Sequence, residues 1–239
     1  VGPSGVGKTE TATALADLLY SGERFMTTIA MSEFQEKHTV SRLVGSPPGY
    51  VGYGEGGVLT EAVRQRPYSV VLLDECEKAH LDVMNLFYQV FDKGTLSDGE
   101  GRVVDFKNTV IILTSNLASD LVMQRAGQAD CTAEAIAELI RPVLSKHFKP
   151  ALLARMTIVP FLPLPPEVLR EITELKLAAL KRRLFNSHKI EAEFSPEMVD
   201  QLAQRCTESE TGARNVEAIL RSSLMPLLSQ RLLEQFAAG

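Results

Sequence analysis

The sequence predicts an α/β chain, with a large domain built on a parallel sheet covered by helices on both faces and a smaller, mostly helical C-terminal domain. Three observations carry this expectation. Residues 2–9, Gly2-Pro3-Ser4-Gly5-Val6-Gly7-Lys8-Thr9, fill every defined position of the phosphate-loop pattern G-x-x-x-x-G-K-[ST], which joins a strand to a helix. The runs Val70-Val71-Leu72-Leu73 and Val110-Ile111-Ile112-Leu113 are continuously apolar, as strands covered on both faces require. The segment Leu162-Pro163-Leu164-Pro165-Pro166 is stiff and helix-breaking, and it sets the domain boundary: 1–161 before it and 162–239 after it.

Composition bounds the function. The 239 residues are 45% hydrophobic, which suits a sizeable core, and 25 basic against 30 acidic residues leave a net charge of −5 without a long run of either sign. That balance argues against a nucleic-acid footprint or an anionic membrane surface. Cys76, Cys131 and Cys206 are odd in number and form no C-x-x-C, so neither a disulfide framework nor a zinc site is expected, and a reducing cytoplasm fits. No apolar stretch reaches the roughly 18 residues of a membrane span. Because Val1 stands directly on the phosphate loop, the strand feeding that loop is expected to be missing or reduced to its last residue, in a chain cut from something longer.

In chain order, glycines at 2, 5 and 7 let successive N–H groups aim inward, and with the following helix N-terminus they form an anion site. Lys8 reaches the β- and γ-phosphates of a nucleoside triphosphate and the Thr9 hydroxyl ligates Mg²⁺. A helix over 10–20 is expected to bury Leu15, Leu18 and Leu19, and Ser21-Gly22 to stop it. Residues 27–31 read as a short buried strand, and 32–34 as a helix start. The loop 45–57 holds six glycines and two prolines and either presents Tyr50 and Val51 or folds its tyrosines back onto the body.

A helix over 58–65 precedes the strand 68–73, which ends in Asp74-Glu75. Open α/β sheets bind ligands at that edge, where Asp74 would hold Mg²⁺ through water and Glu75 would orient the attacking water. The competing reading is that the acids cap the next helix, over 79–92, whose Val83, Leu86, Phe87 and Val90 share one side. Asp98-Gly99-Glu100-Gly101 reads as a hairpin turn. A strand over 109–114 ends in Ser115-Asn116, and Asn116 either holds water or the γ-phosphate or caps a helix. Residues 119–132 read as loop or frayed helix, 133–147 as a helix kinked or restarted at Pro142, and 156–160 as a further short strand. Beyond the linker come a long helix over 167–185, a strand-like alternation over 189–194, a helix from Ser195-Pro196 to about 205, and a last helix opened by Thr211-Gly212-Ala213-Arg214. The lone strand finds no partner downstream, so the C-terminus is also expected to be truncated.

Taken together, these motifs resemble the second AAA+ module of the double-ring Clp ATPases over essentially the whole chain. The resemblance implies a Walker A motif at 2–9, Walker B at 70–75, sensor 1 at Asn116, an arginine finger at Arg155 and sensor 2 at Arg214. It implies that Gly49-Tyr50-Val51-Gly52 is the pore loop whose aromatic grips threaded polypeptide, and that 98–102 is the secondary pore loop. Ser46, Gly54, the run Phe87-Tyr88-Gln89-Val90-Phe91-Asp92-Lys93-Gly94 and Phe148-Lys149-Pro150-Ala151-Leu152-Leu153 resemble the ClpV (TssH) branch, which recycles contracted type VI secretion sheaths, more than ClpB. No Ile-Gly-Phe/Leu tripeptide follows Asn116, so a protease ring is not an implied partner. Leu81 stands where these relatives usually have proline, and Cys76 where valine or methionine is common; both positions read as packing.

The resemblance implies ATP and Mg²⁺ as cofactors, a homo-hexamer, and a polypeptide cargo such as sheath subunits, with no nucleic acid and no membrane. Arg155 would complete a neighbouring subunit's site. Rotation about Pro163–Pro166, sensed by Arg214, would move Tyr50 along the pore. The missing upstream segment helps to hold adenine in the family, so this piece is expected to bind nucleotide poorly. Two other classes compete: a P-loop kinase or helicase, opposed by the absence of a basic stripe and the glycine-tyrosine loop, and a non-hydrolysing nucleotide-sensing scaffold, opposed by Glu75 and Arg155.

Overall fold

The computed structural model describes residues 1–128, 131–207, 213–226 and 230. The chain divides into two compact units, Val1–Gly2 with Gly7–Phe161 and Pro3–Val6 with Leu162–Gly239.

In the first unit, α1 (Lys8–Tyr20) starts after Gly7 and ends at Ser21 in the left-handed region. The face it buries is Ala12 and Ala16, not the expected leucines: Leu18 and Leu19 are 82% and 52% exposed. This helix packs on the central strand, and close approach there admits small side chains while leucines are turned away. Next come β1 (Met26–Ala30) and a 3₁₀ turn, Met31–Glu33, that stops at Phe34 instead of opening the expected helix. Two helices, α2 (Val40–Val44) and α3 (Val58–Gln65), flank the glycine-rich loop.

The central strand β2 (Ser69–Asp74) is buried from Ser69 to Leu73. Its successor α4 (Leu81–Lys93) buries Val83, Met84, Phe87 and Val90; His80 Nδ1 accepts the Asp82 N–H at its N-terminus and Gly94 closes it at φ 68°. Leu81 is 56% exposed, so it is not a packing position, whereas Cys76 is in the core. A hairpin of β3 (Thr95–Ser97) and β4 (Val103–Asp105) follows, with Leu96 opposite Val104. Then come β5 (Thr109–Leu113), α5 (Ser119–Arg125), α6 (Ala133–His147), which continues through Pro142, and α7 (Pro150–Leu153).

The described sheet is parallel with order β1-β2-β5, pairing Ala30 with Asp74 and Leu73 with Leu113. Only the middle strand is covered on both faces; β1 and β5 flank it and stay partly exposed, with Thr28 open to solvent. The strand expected at 156–160 is not formed as one, although Val1 N donates to Val159 O at 2.9 Å and Phe161 N to Val1 O at 2.7 Å.

In the second unit, α8 (Pro166–His188), α9 (Pro196–Thr207) and α10 (Ala213–Ile219) pack Leu169, Leu177, Val199, Leu202, Cys206, Val216 and Ile219 into one core. Proline opens α8 and α9, where its missing N–H costs nothing, and Ser195 Oγ accepts the Met198 N–H at 3.3 Å. Residues 189–194 form no strand, since the described residues offer them no partner edge; Phe194 instead packs on the helical core beneath Lys181. Thr211 and Gly212 lie outside the described residues.

Candidate active site

The phosphate loop has the backbone its glycines were chosen for. Gly7 sits at φ 93°, and at Gly2 an added Cβ would fall 2.3 Å from the Phe161 carbonyl oxygen. Lys8 Nζ donates to Gly2 O at 2.6 Å and to Asn116 Oδ1 at 2.8 Å, tying the loop lysine to the end of β5. Pro3 and Val6 are buried, and Ser4, Gly5 and Thr9 are half-buried. Within the second unit, Arg214 Nη1 donates to Ser4 Oγ at 3.0 Å and Ala213 N to Gly5 O at 2.9 Å.

Pairing of β2 with β5 brings the carboxylates beside 114–116, as neighbouring strands require. Asp74 Oδ1 accepts the Thr114 hydroxyl, and the Glu75 N–H donates to Thr114 Oγ1 at 3.0 Å. Glu75 is left-handed at φ 58°, ψ 51°, strained for a residue with a side chain, and its Oε2 pairs with Lys78 Nζ at 2.7 Å. That hydrogen bond raises the Lys78 ammonium above its ordinary value. The Asn116 N–H donates to Glu77 Oε1 at 3.2 Å, while Glu77 Oε2 is buried without a partner. Asn116 is not a helix cap here: the position before α5 is Ala118, and the Asn116 amide oxygen faces Lys8 instead. The carboxylates do not cap the next helix either, since His80 takes that role. Burial, with Glu77 and Asp74 nearby, pushes the Cys76 thiol well above its usual range, so it is an inert core residue.

Sequence reasoning missed Thr114, Lys78 and Glu77. The signal is present in Thr114-Ser115-Asn116, a polar triplet ending an apolar strand.

Arg155 is brought to neither carboxylate. Its Nε donates to Asp92 Oδ1 at 2.7 Å, its Nη2 pairs with the same oxygen, and its Nη1 donates to Ala151 O at 2.7 Å. Together with Lys8 it lines a cavity of about 430 Å³ whose walls include Phe91, Ile111, Leu144 and Met156 beside Thr114 and Ser115.

The glycine-rich loop stands out from the body, with Tyr50, Val51 and Tyr53 exposed to 71%, 99% and 52%. Its shape comes from turns: Gly49 and Gly52 take φ 86° and 85°, and Ser46 Oγ donates to Val51 O at 2.9 Å. At its base, Gly99 N donates to Val44 O at 3.0 Å, joining the loop to the 98–102 hairpin. Asp98 anchors that hairpin. Its buried carboxylate accepts the N–H groups of Glu100 and Arg102 at 2.9 and 2.8 Å and pairs with the guanidinium groups of Arg64 and Arg102. Burial raises this carboxyl, but the Arg102 N–H, the two guanidiniums and the Glu100 N–H together outweigh it, leaving a pKa of about 2.

Known proteins resemble the chain throughout. A family model described as the AAA domain (Cdc48 subfamily) matches residues 1–159, and one described as the C-terminal, D2-small domain of ClpB protein matches 164–238. All of the chain aligns with the AAA+ ATPase ClpV1 of Pseudomonas aeruginosa at 53% identity and with the chaperone protein ClpB of Yersinia enterocolitica at 51%. In each case it spans 27% of the relative's length. A cryo-EM structure of Hsp104 with ATPγS and casein superposes on 98% of this chain, and 40% of its own, with a TM-score of 0.87 at 33% identity. The phosphate loop, the acidic edge of β2 and the polar end of β5 thus sit in a frame shared with these proteins, and the chain belongs to the AAA+ family as a D2 module of the kind found in ClpV and ClpB.

Proposed function

We propose that this chain is the ATP-hydrolysing second-ring module of a hexameric, protein-remodelling ATPase. One observation carries the reading: Asp74 and Glu75 stand at the edge of β2 against Thr114-Ser115-Asn116, with the Lys8 ammonium 2.8 Å from Asn116 Oδ1. Residues 1–161 serve as the large nucleotide-binding domain and 162–239 as the lid. In the reaction, Glu75 orients a water toward the γ-phosphorus, the bond to the bridging oxygen breaks, and ADP and phosphate leave. Lys8 and the N–H groups of 2–9 bind the phosphates, Asn116 helps to place γ-phosphate or water, and Arg214 reports on the loop from the lid.

The residues fit a magnesium nucleotide. Among the described residues no cluster of three or more His, Cys, Asp or Glu could hold a metal by itself. Thr9 and Asp74 offer one hydroxyl and one carboxylate, the sparse oxygen set of a cation that keeps its waters and shares substrate phosphates. Bound there, Mg²⁺ would neutralise charge on the phosphates. Arg155 acts in trans as the arginine finger, and Tyr50 with Val51, flanked by Gly49 and Gly52, grips polypeptide. The cargo is the contracted type VI secretion sheath, supported by the 53% identity to ClpV1, and the setting is cytoplasmic. No protease ring, nucleic acid or membrane takes part. ClpB-type disaggregation is the second reading, supported by the 51% identity to ClpB.

In the full-length protein, Lys8→Ala should lose nucleotide binding, whereas Glu75→Gln should bind nucleotide and lose hydrolysis. Parental turnover by Glu75→Gln in a steady-state assay would remove Glu75 from the water-orienting role. Offering the same protein contracted sheath and heat-aggregated protein separates the two cargo readings: sheath disassembly without disaggregation is expected.

A further inference from the structure

Thr114 bonds to four consecutive residues at the end of β2. Its N–H donates to Leu73 O at 2.9 Å, its carbonyl accepts the Cys76 N–H at 2.9 Å, and its hydroxyl lies between Glu75 N and Asp74 Oδ1. The residue is 3% exposed, and these partners satisfy its backbone groups and its hydroxyl.

The direction of each hydrogen bond is forced. An amide N–H can only donate, so Glu75 N occupies an acceptor position of the hydroxyl. The single hydroxyl proton then goes to Asp74, whose ionised carboxylate can only accept. One oxygen therefore holds both acids: it orients the Asp74 carboxylate and fixes the Glu75 amide. The second constraint is the telling one, because Glu75 sits at φ 58°, a left-handed conformation that is unfavourable for a residue with a side chain. Such strain persists only where the surroundings over-determine it.

We infer that Thr114 is a positioning residue for hydrolysis, acting through its hydroxyl to set the Asp74 carboxylate and the left-handed backbone of Glu75. The inference rests on the proposed water-orienting role of Glu75. It gives the hydroxyl, not the methyl group, the decisive part. Valine matches threonine in shape and makes neither bond, leaving the Glu75 N–H unpaired. Serine keeps both bonds and loses only a methyl group.

The experiment compares Thr114→Val, Thr114→Ser and Glu75→Gln in the full-length protein, measuring kcat and KM for ATP, equilibrium nucleotide binding and thermal melting. A misplacement of about 1 Å costs on the order of 10²-fold in rate, so Thr114→Val should lose about 10- to 100-fold in kcat. Its KM and nucleotide affinity should stay within a few-fold of the parent, and Thr114→Ser should recover most of the rate. Because residues that act as a unit are non-additive, Thr114→Val should subtract little more from a Glu75→Gln background. A folded Thr114→Val at parental kcat overturns the inference, as does a Thr114→Ser as slow as the valine variant. Should Thr114→Val fail to fold, Thr114→Ala takes its place: the inference requires alanine slow beside serine near parental, and equal rates refute it. Parental turnover by Glu75→Gln strikes the underlying reading, while an inactive Glu75→Gln beside a parental Thr114→Val strikes this inference alone.

Discussion

At the C-terminal edge of β2, Asp74, Glu75 and Cys76 bond to Thr114 and Glu77 bonds to Asn116, whereas across the first unit's surface the loop 45–57 leaves Tyr50 and Val51 71% and 99% exposed. Both regions use positive-φ backbone, but it is accommodated differently. Glu75 keeps its left-handed backbone because Thr114 accepts its N–H; Gly49, Gly52 and Gly54 take positive φ without penalty because they carry no side chain. The first region is held by hydrogen bonds to Thr114 and Asn116, as the proposed placement of a reacting water would need. The second exposes an aromatic while staying anchored at its base, where Gly99 meets Val44 and Arg64 meets Asp98, which is what the proposed grip on polypeptide would need. Chemistry and grip are thus expected to be separable by mutation.

The largest effect that sharpens this contrast is expected at Arg155. In the single chain it pairs with Asp92, a partly exposed contact worth about 1 kcal/mol or less. If it completes a neighbouring site in the ring, Arg155→Ala should lower turnover by about 10³ to 10⁵ while leaving melting almost unchanged. Mixing an Arg155→Ala subunit with a Lys8→Ala subunit, each nearly inactive alone, should restore ATP turnover, because some interfaces then pair an intact loop with an intact arginine. Co-assembly without recovery would confine Arg155 to its ion pair.

A smaller effect is expected where the two loops join. Replacing Asp98 removes a buried, hydrogen-bonded charge, and Asp98→Asn should destabilise the protein by about 1–3 kcal/mol. Its folded pKa of about 2 lies below the ordinary 3.8, so the carboxylate's contribution is fully present above 3.8 and is lost as pH falls through about 2. The difference in melting temperature between parent and Asp98→Asn should therefore hold steady above pH 3.8 and narrow in acid. A gap that stays constant down to pH 2 would mean that the Arg64 and Arg102 pairs contribute little.

Much of this arrangement is legible in the sequence because the elements concerned follow local rules. The apolar run of β2, the turn chemistry at 98–101 and proline at the start of α8 and α9 each dictate their structure without help from afar. The failures are tertiary. Alternation at 189–194 cannot make a strand without a partner edge, and α1 meets β2 through Ala12 and Ala16, which leaves Leu15 half-buried and Leu18 and Leu19 exposed. At the site, the acids and Lys8 are readable because their motifs are contiguous. Thr114 is not, because its importance lies in a hydrogen bond to a left-handed Glu75 39 positions away rather than in spacing.

Tyr50→Ala tests the separation of grip from chemistry most directly. In one preparation of the full-length protein, ATP turnover and cargo disassembly would be measured side by side for the parent, Tyr50→Ala and Glu75→Gln. The account predicts that Glu75→Gln loses both activities, while Tyr50→Ala keeps hydrolysis within a few-fold of the parent and loses disassembly. Disassembly at the parental rate by Tyr50→Ala, or hydrolysis that collapses together with it, would contradict the claim that the exposed loop grips cargo while the chemistry is carried elsewhere, at the β2–β5 edge and the phosphate loop.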